Sequence, residues 1–370
     1  MVVDDSAVIR GFIVRMLESE PDFEVVASVG NGEMAVSNAA RHKVDVIVLD
    51  IEMPVMDGLT ALPKIFQIDP NIKVIMASTL TLRNAEISFR AMQAGASDYI
   101  PKPSNAQGMT GSDEFRRELV LKIRNLGQAK IKATGATVAA PKPTAAATTA
   151  PAAAKEADKP KRSLLSPTGP IPIRKPGIAK PQIITVGSST GGPQALFDFL
   201  KGLDHSIKLP IVITQHMPAT FTTILAEHIS RMTQWECAEA KDGEVLLGGR
   251  IYLAPGDYHM LIESKGAQQV LRLNQGPQEN FCRPSVDPML RSVVDVFGGH
   301  VFTVILTGMG SDGKKGGEVV VEAGGTVIAQ DEKTSVVWGM PGAAAEAGIC
   351  SAVLPLNELA PYVNKFLGSA

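Results

Sequence analysis

At 370 residues, 45% apolar and 20% charged, the chain is long enough for two compact cores rather than one. Its formal net charge of -2 leaves no basic footprint for nucleic acid and no polybasic anchor for a membrane surface. Cys237, Cys282 and Cys350 show no CxxC pairing or zinc spacing, no signal peptide opens the chain, and no apolar run approaches the ~20 residues of a membrane span. A cytoplasmic protein with free thiols is the expectation.

Only Met1, Val2 and Val3 precede the acidic pair Asp4-Asp5, whereas a first strand ordinarily takes about five or six residues. The expectation is a truncated first strand, from a late start or a trimmed chain, and a weakened first domain. Strands and helices then alternate. "FEVVASV", "VDVIVLD", "KVIMAS" and "SDYI" are short β-branched runs. "SAVIRGFIVRMLES", "GEMAVSNAARH", "GLTALPKIFQ", "NAEISFRAMQAG" and "SDEFRRELVLKIRNL" are amphipathic, the last predicted to be N-capped by Ser112 and stopped at Gly127. Continuously apolar strands alternating with helices predict a parallel sheet covered on both faces over residues 1–126.

From 127 to 181 Ala, Pro, Thr and Lys dominate without apolar periodicity, the composition of a flexible linker. Alternation resumes over 182–370. "QIITVGSS", "LPIVITQHM", "GRIYLAP", "HMLIE", "VLRLN", "HVFTVILTGM" and "TVIAQD" read as strands, and "PQALFDFLKGL", "ATFTTILAEHISRM", "SVDPMLRSVVDVFG", "KKGGEVVVEAG" and "GAAAEAG" as helices. A second doubly wound α/β domain follows, its sheet mixed because "GRIYLAPGDYHMLIE" and "QQVLRLN" suggest antiparallel strands.

Ligands of doubly wound sheets bind at the carboxyl ends of the strands. In the first domain those ends carry Asp4, Asp5, Asp50, Ser78 and Lys102. Three carboxylates drawn together repel unless a cation joins them, and all-oxygen ligation suits Mg²⁺. A metal site with a hydroxyl and an ammonium beside a central carboxylate is equipment for phosphoryl transfer onto Asp50. Each acid singly could instead cap a helix. With "DIEMPVMDG" after the third strand, residues 1–126 closely resemble the receiver domain of bacterial response regulators. The resemblance implies a flavodoxin-like five-stranded sheet, phosphorylation at Asp50, and Mg²⁺ held by Asp4, Asp5, Asp50 and the Glu52 carbonyl. It also implies phosphoryl contacts from Ser78 and Lys102 and a rotameric switch at Tyr99.

In the second domain "ITVGSSTGGP" joins a strand to a helix. A P-loop would need a lysine after Gly192, and a dinucleotide fingerprint a glycine where Ser188 and Ser189 stand. Gly187–Gly191 instead fits G-x-S-x-G, with Ser189 as nucleophile and a helix N-terminus behind it. Of six histidines, His42 belongs to the first domain. His205 and His228 lie on or beside helical segments read as solvated, and His300 begins a strand. His216 ends a strand at the same rim as Ser189 and is preferred as the base; His259 is the reserve. Asp312, in the Gly-rich loop after "VFTVILTGM", is the orienting carboxylate, or alternatively an N-cap for the next helix. The order Ser-His-Asp differs from that of α/β-hydrolases.

Over about 182–368, "GSSTGGPQAL", "QHMPATFT", "YLAPGDYHM", "RPSVDPML", "LTGMGSDG" and "AQDEKTSVVWGMPGAA" resemble the catalytic domain of the chemotaxis protein-glutamate methylesterases. The resemblance implies the triad Ser189, His216 and Asp312, with Thr190 and Met309 lining an oxyanion pocket. It implies methyl-accepting chemotaxis receptors as substrate, a chemotaxis histidine kinase as phosphodonor, and possible glutamine deamidation. Cys282 stands where a histidine is common and Trp338 where phenylalanine is usual, and neither is expected to touch the triad. The alternatives are a phosphorylation-controlled binding module that has lost its chemistry, or an esterase for receptors outside chemotaxis.

Overall fold

The structure, a computed structural model, describes residues 1–79, 81–102, 108–134 and 171–368. The first domain runs β1 (Val2–Val3), α1 (Ala7–Glu18), β2 (Ser28–Val29), α2 (Gly32–Arg41), β3 (Val46–Asp50), α3 (Gly58–Ile68), β4 (Lys73–Ser78), α4 (Leu82–Gln93), β5 (Asp98–Pro101) and α5 (Gly108–Thr134). Its five strands are parallel in the order β2-β1-β3-β4-β5. β1 is as short as the sequence suggested, yet it pairs on both sides, Val2 with Ser28 and with Val48. Every residue of β3 is buried, as befits a strand covered by helices on both faces.

α5 departs from the prediction. It begins at Gly108 rather than after Ser112, and passes through Gly127 to Thr134. Glycine lowers helix propensity, but here the last turns are held by tertiary contacts. Lys130 Nζ donates to Val44 O at 2.6 Å and to Asp69 Oδ2 at 2.8 Å. Most of the predicted linker lies outside the described residues; its final stretch rests on the second domain, with Arg174 N donating to Cys350 O at 3.0 Å and Gly177 N to Thr326 Oγ1 at 3.0 Å.

The second domain comprises β6 (Ile183–Ser188), α6 (Gly192–Gly202), β7 (Ile211–Gln215), α7 (Ala219–Thr233), β8 (Glu236–Glu239), β9 (Arg250–Leu253), β10 (His259–Lys265), β11 (Gln268–Asn274), α8 (Val286–Phe297), β12 (Val301–Ile305), α9 (Lys314–Glu322), β13 (Thr326–Gln330), α10 (Met340–Glu346), β14 (Ala352–Leu354) and α11 (Leu356–Leu367). The expected mixed sheet is not formed. Seven strands in the order β14-β13-β12-β6-β7-β9-β8 are parallel at every pairing, and the antiparallel pair β10-β11 stands apart as its own sheet. The order reverses between β6 and β12, the switch point at which such sheets open a crevice for ligands.

The two domains meet through α4, β5 and α5 of the first and α7 with the loops around the β6–α6 turn of the second. Tyr99 stacks on Phe221 at 4.2 Å, and Phe89 packs against Phe221 at 6.2 Å and His228 at 5.3 Å. Met309, Val336 and Val337 join the cluster built on Phe115 and Leu119 of α5. His228 is therefore buried at the interface rather than solvated.

Candidate functional site

In the first domain Asp4, Asp5 and Asp50 can bring their carboxylate oxygens within 4.8 Å of one another. Lys102 Nζ lies 2.7 Å from both Asp4 Oδ2 and Asp50 Oδ1. Asp4 Oδ2 is buried against the Lys102 ammonium. Three carboxylates within reach of one another are an all-oxygen donor set that fits Mg²⁺. Burial, outweighing the attraction of Lys102, pushes the Asp50 carboxyl up to about 6. Ser78 is buried at the end of β4, beside β3, and its hydroxyl meets Ser88 Oγ at 3.4 Å. The Glu52 side chain points to solvent, 3.8 Å from Arg83.

In the second domain the turn after β6 separates two adjacent serines. Ser188 Oγ is buried and donates to Gln215 Oε1 at 2.6 Å, while Gln215 Nε2 donates to the Ser189 carbonyl at 2.9 Å. Ser189 N donates to Thr307 O at 3.1 Å, pinning the turn to the strand across the switch point. Ser189 Oγ thus remains uncommitted among the described residues. Gly191 takes φ 75°, and a Cβ there would collide with Val336, so the turn needs glycine for both conformation and space. The backbone N–H groups of Thr190 and Met309 carry no partner among the described residues, leaving donors at this rim for an oxyanion. Gln215 was not singled out from the sequence; its place at the end of β7, beside Ser188 in register, is the signal that could have found it.

His216 Nε2 lies 2.7 Å from Asp312 Oδ2. Asp312 is almost wholly buried and richly solvated by protein. Its Oδ2 also accepts from Ser285 Oγ at 2.9 Å and Val286 N at 2.6 Å, and its Oδ1 from Asn280 Nδ2 at 2.8 Å, Asp287 N at 3.0 Å and Gly313 N at 3.0 Å. It therefore caps the N-terminus of α8 rather than the helix that follows it. Asp287 answers by accepting from Gly313 N and Gly316 N at the start of α9. Burial raises the Asp312 carboxyl, but the bonds from His216 and from the start of α8 outweigh it and bring it down to about 2. Asp287, buried beside that charge, is pushed up.

For His216, burial works to lower the pKa. Cys282 and Asp312 beside the ring more than reverse it and hold it well above the usual imidazole range. Cys282 thus acts on the His216 ring electrostatically, from a turn distant in sequence from β7, a proximity no local pattern encodes. The Trp338 backbone bridges Gly308. His259 is a supporting group: Nε2 faces Pro277 O at 3.0 Å, and Nδ1 accepts from Ser285 N at 3.2 Å, fixing the serine that bonds Asp312.

The first domain reaches this rim directly. Thr190 Oγ1 donates to Asp98 Oδ2 at 2.7 Å, and Asp98 is paired in turn with the buried Lys122 at 3.0 Å. Lys122 also donates to Tyr99 O at 2.6 Å. Arg117 of α5 stacks over the Phe281 ring at 4.0 Å.

Residues 184–363 match a family model described as CheB methylesterase, and residues 1–111 one described as response regulator receiver domain. The chain is 59% identical to a protein-glutamate methylesterase/protein-glutamine glutaminase of Paramagnetospirillum magneticum, covering 99% of this chain and 95% of that one. A second such protein, from Rhodospirillum centenum, is 57% identical over 99% of this chain and 93% of its own. The crystal structure of the Thermotoga maritima CheB methylesterase catalytic domain is 37% identical, covering 52% of this chain and 100% of that one with a TM-score of 0.49.

Proposed function

The chain belongs to the protein-glutamate methylesterase family that joins a response-regulator receiver to a CheB methylesterase domain, and from this we propose that it hydrolyses glutamate methyl esters on methyl-accepting chemotaxis receptors in the cytoplasm, under control of receiver phosphorylation. The observation that carries the chemistry is the His216–Asp312 pair at 2.7 Å, at one strand-end rim with an uncommitted Ser189.

Ser189 Oγ attacks the γ-ester carbonyl as His216 takes its proton. With Nε2 committed to Asp312, the accepting nitrogen is Nδ1. Thr190 and Met309 N–H groups stabilise the oxyanion, His216 returns the proton to departing methanol, and water hydrolyses the acyl-enzyme. Glutamine deamidation uses the same steps with ammonia leaving.

Control rests on the docked receiver. Its β5 residue Asp98 holds the Thr190 hydroxyl at the elbow, and Tyr99 is stacked between the domains. In this arrangement the receiver covers the rim and excludes a receptor helix. Asp4, Asp5 and Asp50, with the Glu52 carbonyl, would hold Mg²⁺, which supplies charge neutralisation for phosphoryl transfer from a chemotaxis histidine kinase. Asp50 accepts the phosphoryl group, and Ser78 and Lys102 contact its oxygens. Repositioning of Lys102 and Tyr99 then weakens the β5 contacts.

The test is methanol release from methylated receptor membranes, with and without a small-molecule phosphodonor plus Mg²⁺, and with Ser189→Ala as the blank. Release that rises with phosphodonor and vanishes in the variant is the expected result. Release indifferent to phosphodonor refutes receiver control, and release surviving in Ser189→Ala refutes the triad.

A further inference from the structure

Asp312 and Asp287 are neighbouring buried carboxylates, and among the described residues no lysine or arginine pairs with either. The titratable groups facing the pair are His216, from the end of β7, and beyond it Cys282; His259 stands one residue removed, behind Ser285. Two carboxylates so placed repel, and in a site of low dielectric one of them takes a proton unless donors hold both charges. Backbone N–H groups supply most of those donors, but a single hydrogen of Gly313 N is divided between Asp287 Oδ1 and Asp312 Oδ1, at 3.0 Å each.

Resting on the triad reading above, we infer that Asn280 is a positioning residue for the esterase reaction, its side-chain amide bridging Asp312 Oδ1 at 2.8 Å and Asp287 Oδ2 at 3.0 Å and thereby keeping Asp312 charged and aimed at His216. An amide NH₂ carries two hydrogens and no charge to lose, so it can satisfy both acids at any pH. Two carboxylate acceptors also settle which end of the amide faces them, because the oxygen would be repelled.

The backbone shows what holding this amide in place requires. Asn280 and Phe281 take φ 53° and 63°, in a tight turn closed by Cys282 N to Glu279 O at 2.9 Å. Asparagine tolerates the left-handed region, but a bulky phenylalanine there is strained, and such strain persists only where the surroundings over-determine it. The Phe281 ring is left 70% exposed rather than packed into the core. Asn280 itself is an exposed residue whose amide alone reaches the buried pair. Replacing it therefore leaves the core intact.

The experiment uses the full chain with phosphodonor and Mg²⁺, measuring kcat and KM for methanol release across pH. Asn280→Gly preserves the left-handed turn and removes only the amide; Asn280→Asp preserves shape and substitutes a third carboxylate. Losing the donor strengthens proton binding throughout the cluster, so the acid limb of kcat/KM moves to higher pH, by about half to one pH unit in Asn280→Gly and further in Asn280→Asp. At neutral pH kcat falls roughly tenfold with KM nearly unchanged. A fall in kcat with the acid limb unmoved in both variants assigns Asn280 to the turn alone and overturns the inference, as does wild-type behaviour of both. Ser189→Ala runs in parallel: activity surviving there sinks the triad reading, whereas a dead Ser189→Ala beside unshifted Asn280 variants sinks only this one.

Discussion

Removing Phe89 from α4 is the cleanest way to loosen the docked receiver without touching either proposed reaction centre. Its ring is fully buried, and its aromatic neighbours, Phe221 at 6.2 Å and His228 at 5.3 Å, both belong to the second domain. Fully burying a phenylalanine is worth about 1.5–3 kcal/mol and an aromatic pair about 0.5–1.5 kcal/mol beyond that. Assigning half of the burial and one such pair to the interface gives about 1–3 kcal/mol lost from the docked state. That is a factor of roughly 5 to 150 in the docked-to-open ratio. Phe89→Ala is therefore expected to raise esterase turnover in the absence of phosphodonor and to compress the stimulation that phosphodonor adds. The assay is methanol release from methylated receptor membranes by the full chain, with phosphorylation at Asp50 measured alongside to show an intact receiver. Unchanged basal turnover in a variant that still accepts phosphate would refute the argument that docking through α4 restrains the esterase.

Two further outcomes follow from the charges. A carboxyl raised from 3.8 to about 6 on folding makes its stabilising contribution only while protonated, and that contribution is lost as pH rises toward 6. Asp50→Asn should accordingly stabilise the receiver at neutral pH, by up to roughly 3 kcal/mol, seen as a higher unfolding midpoint; no gain would mean that Lys102 already offsets the burial. Cys282 contributes to the raised pKa of His216, so Cys282→Ser should move the acid limb of the esterase profile to lower pH and raise the active fraction near neutrality. A limb that stays in place would show that Asp312 alone sets the histidine.

Much of the fold and part of the candidate site were legible because they depend on local signals. Apolar runs placed Asp50, Ser189, His216 and Asp312 at strand ends, and in a parallel sheet strand ends converge on one rim. Small residues after β6 marked a turn only glycine could make. What escaped was weaker locally or absent altogether. β8 and β14 are short strands recruited to sheet edges, and α11 carries Pro361 within it. α5 outruns Gly127 because Lys130 finds Val44 and Asp69, a tertiary gain exceeding one glycine's cost.

The partners of Thr190, His216 and Asp312 were decided only in three dimensions. Asp98 reads locally as part of the strand run "SDYI", yet it accepts a hydrogen bond from Thr190 across 92 residues of sequence. No local signal singles out Asn280 or Cys282, yet the turn that holds both lays one against Asp312 and the other beside His216. Periodicity and turn chemistry report what a segment does with its own backbone and with water. Which buried charges share a donor, and which domain covers which rim, depend on the packing of elements far apart in the chain, and no single segment carries that information.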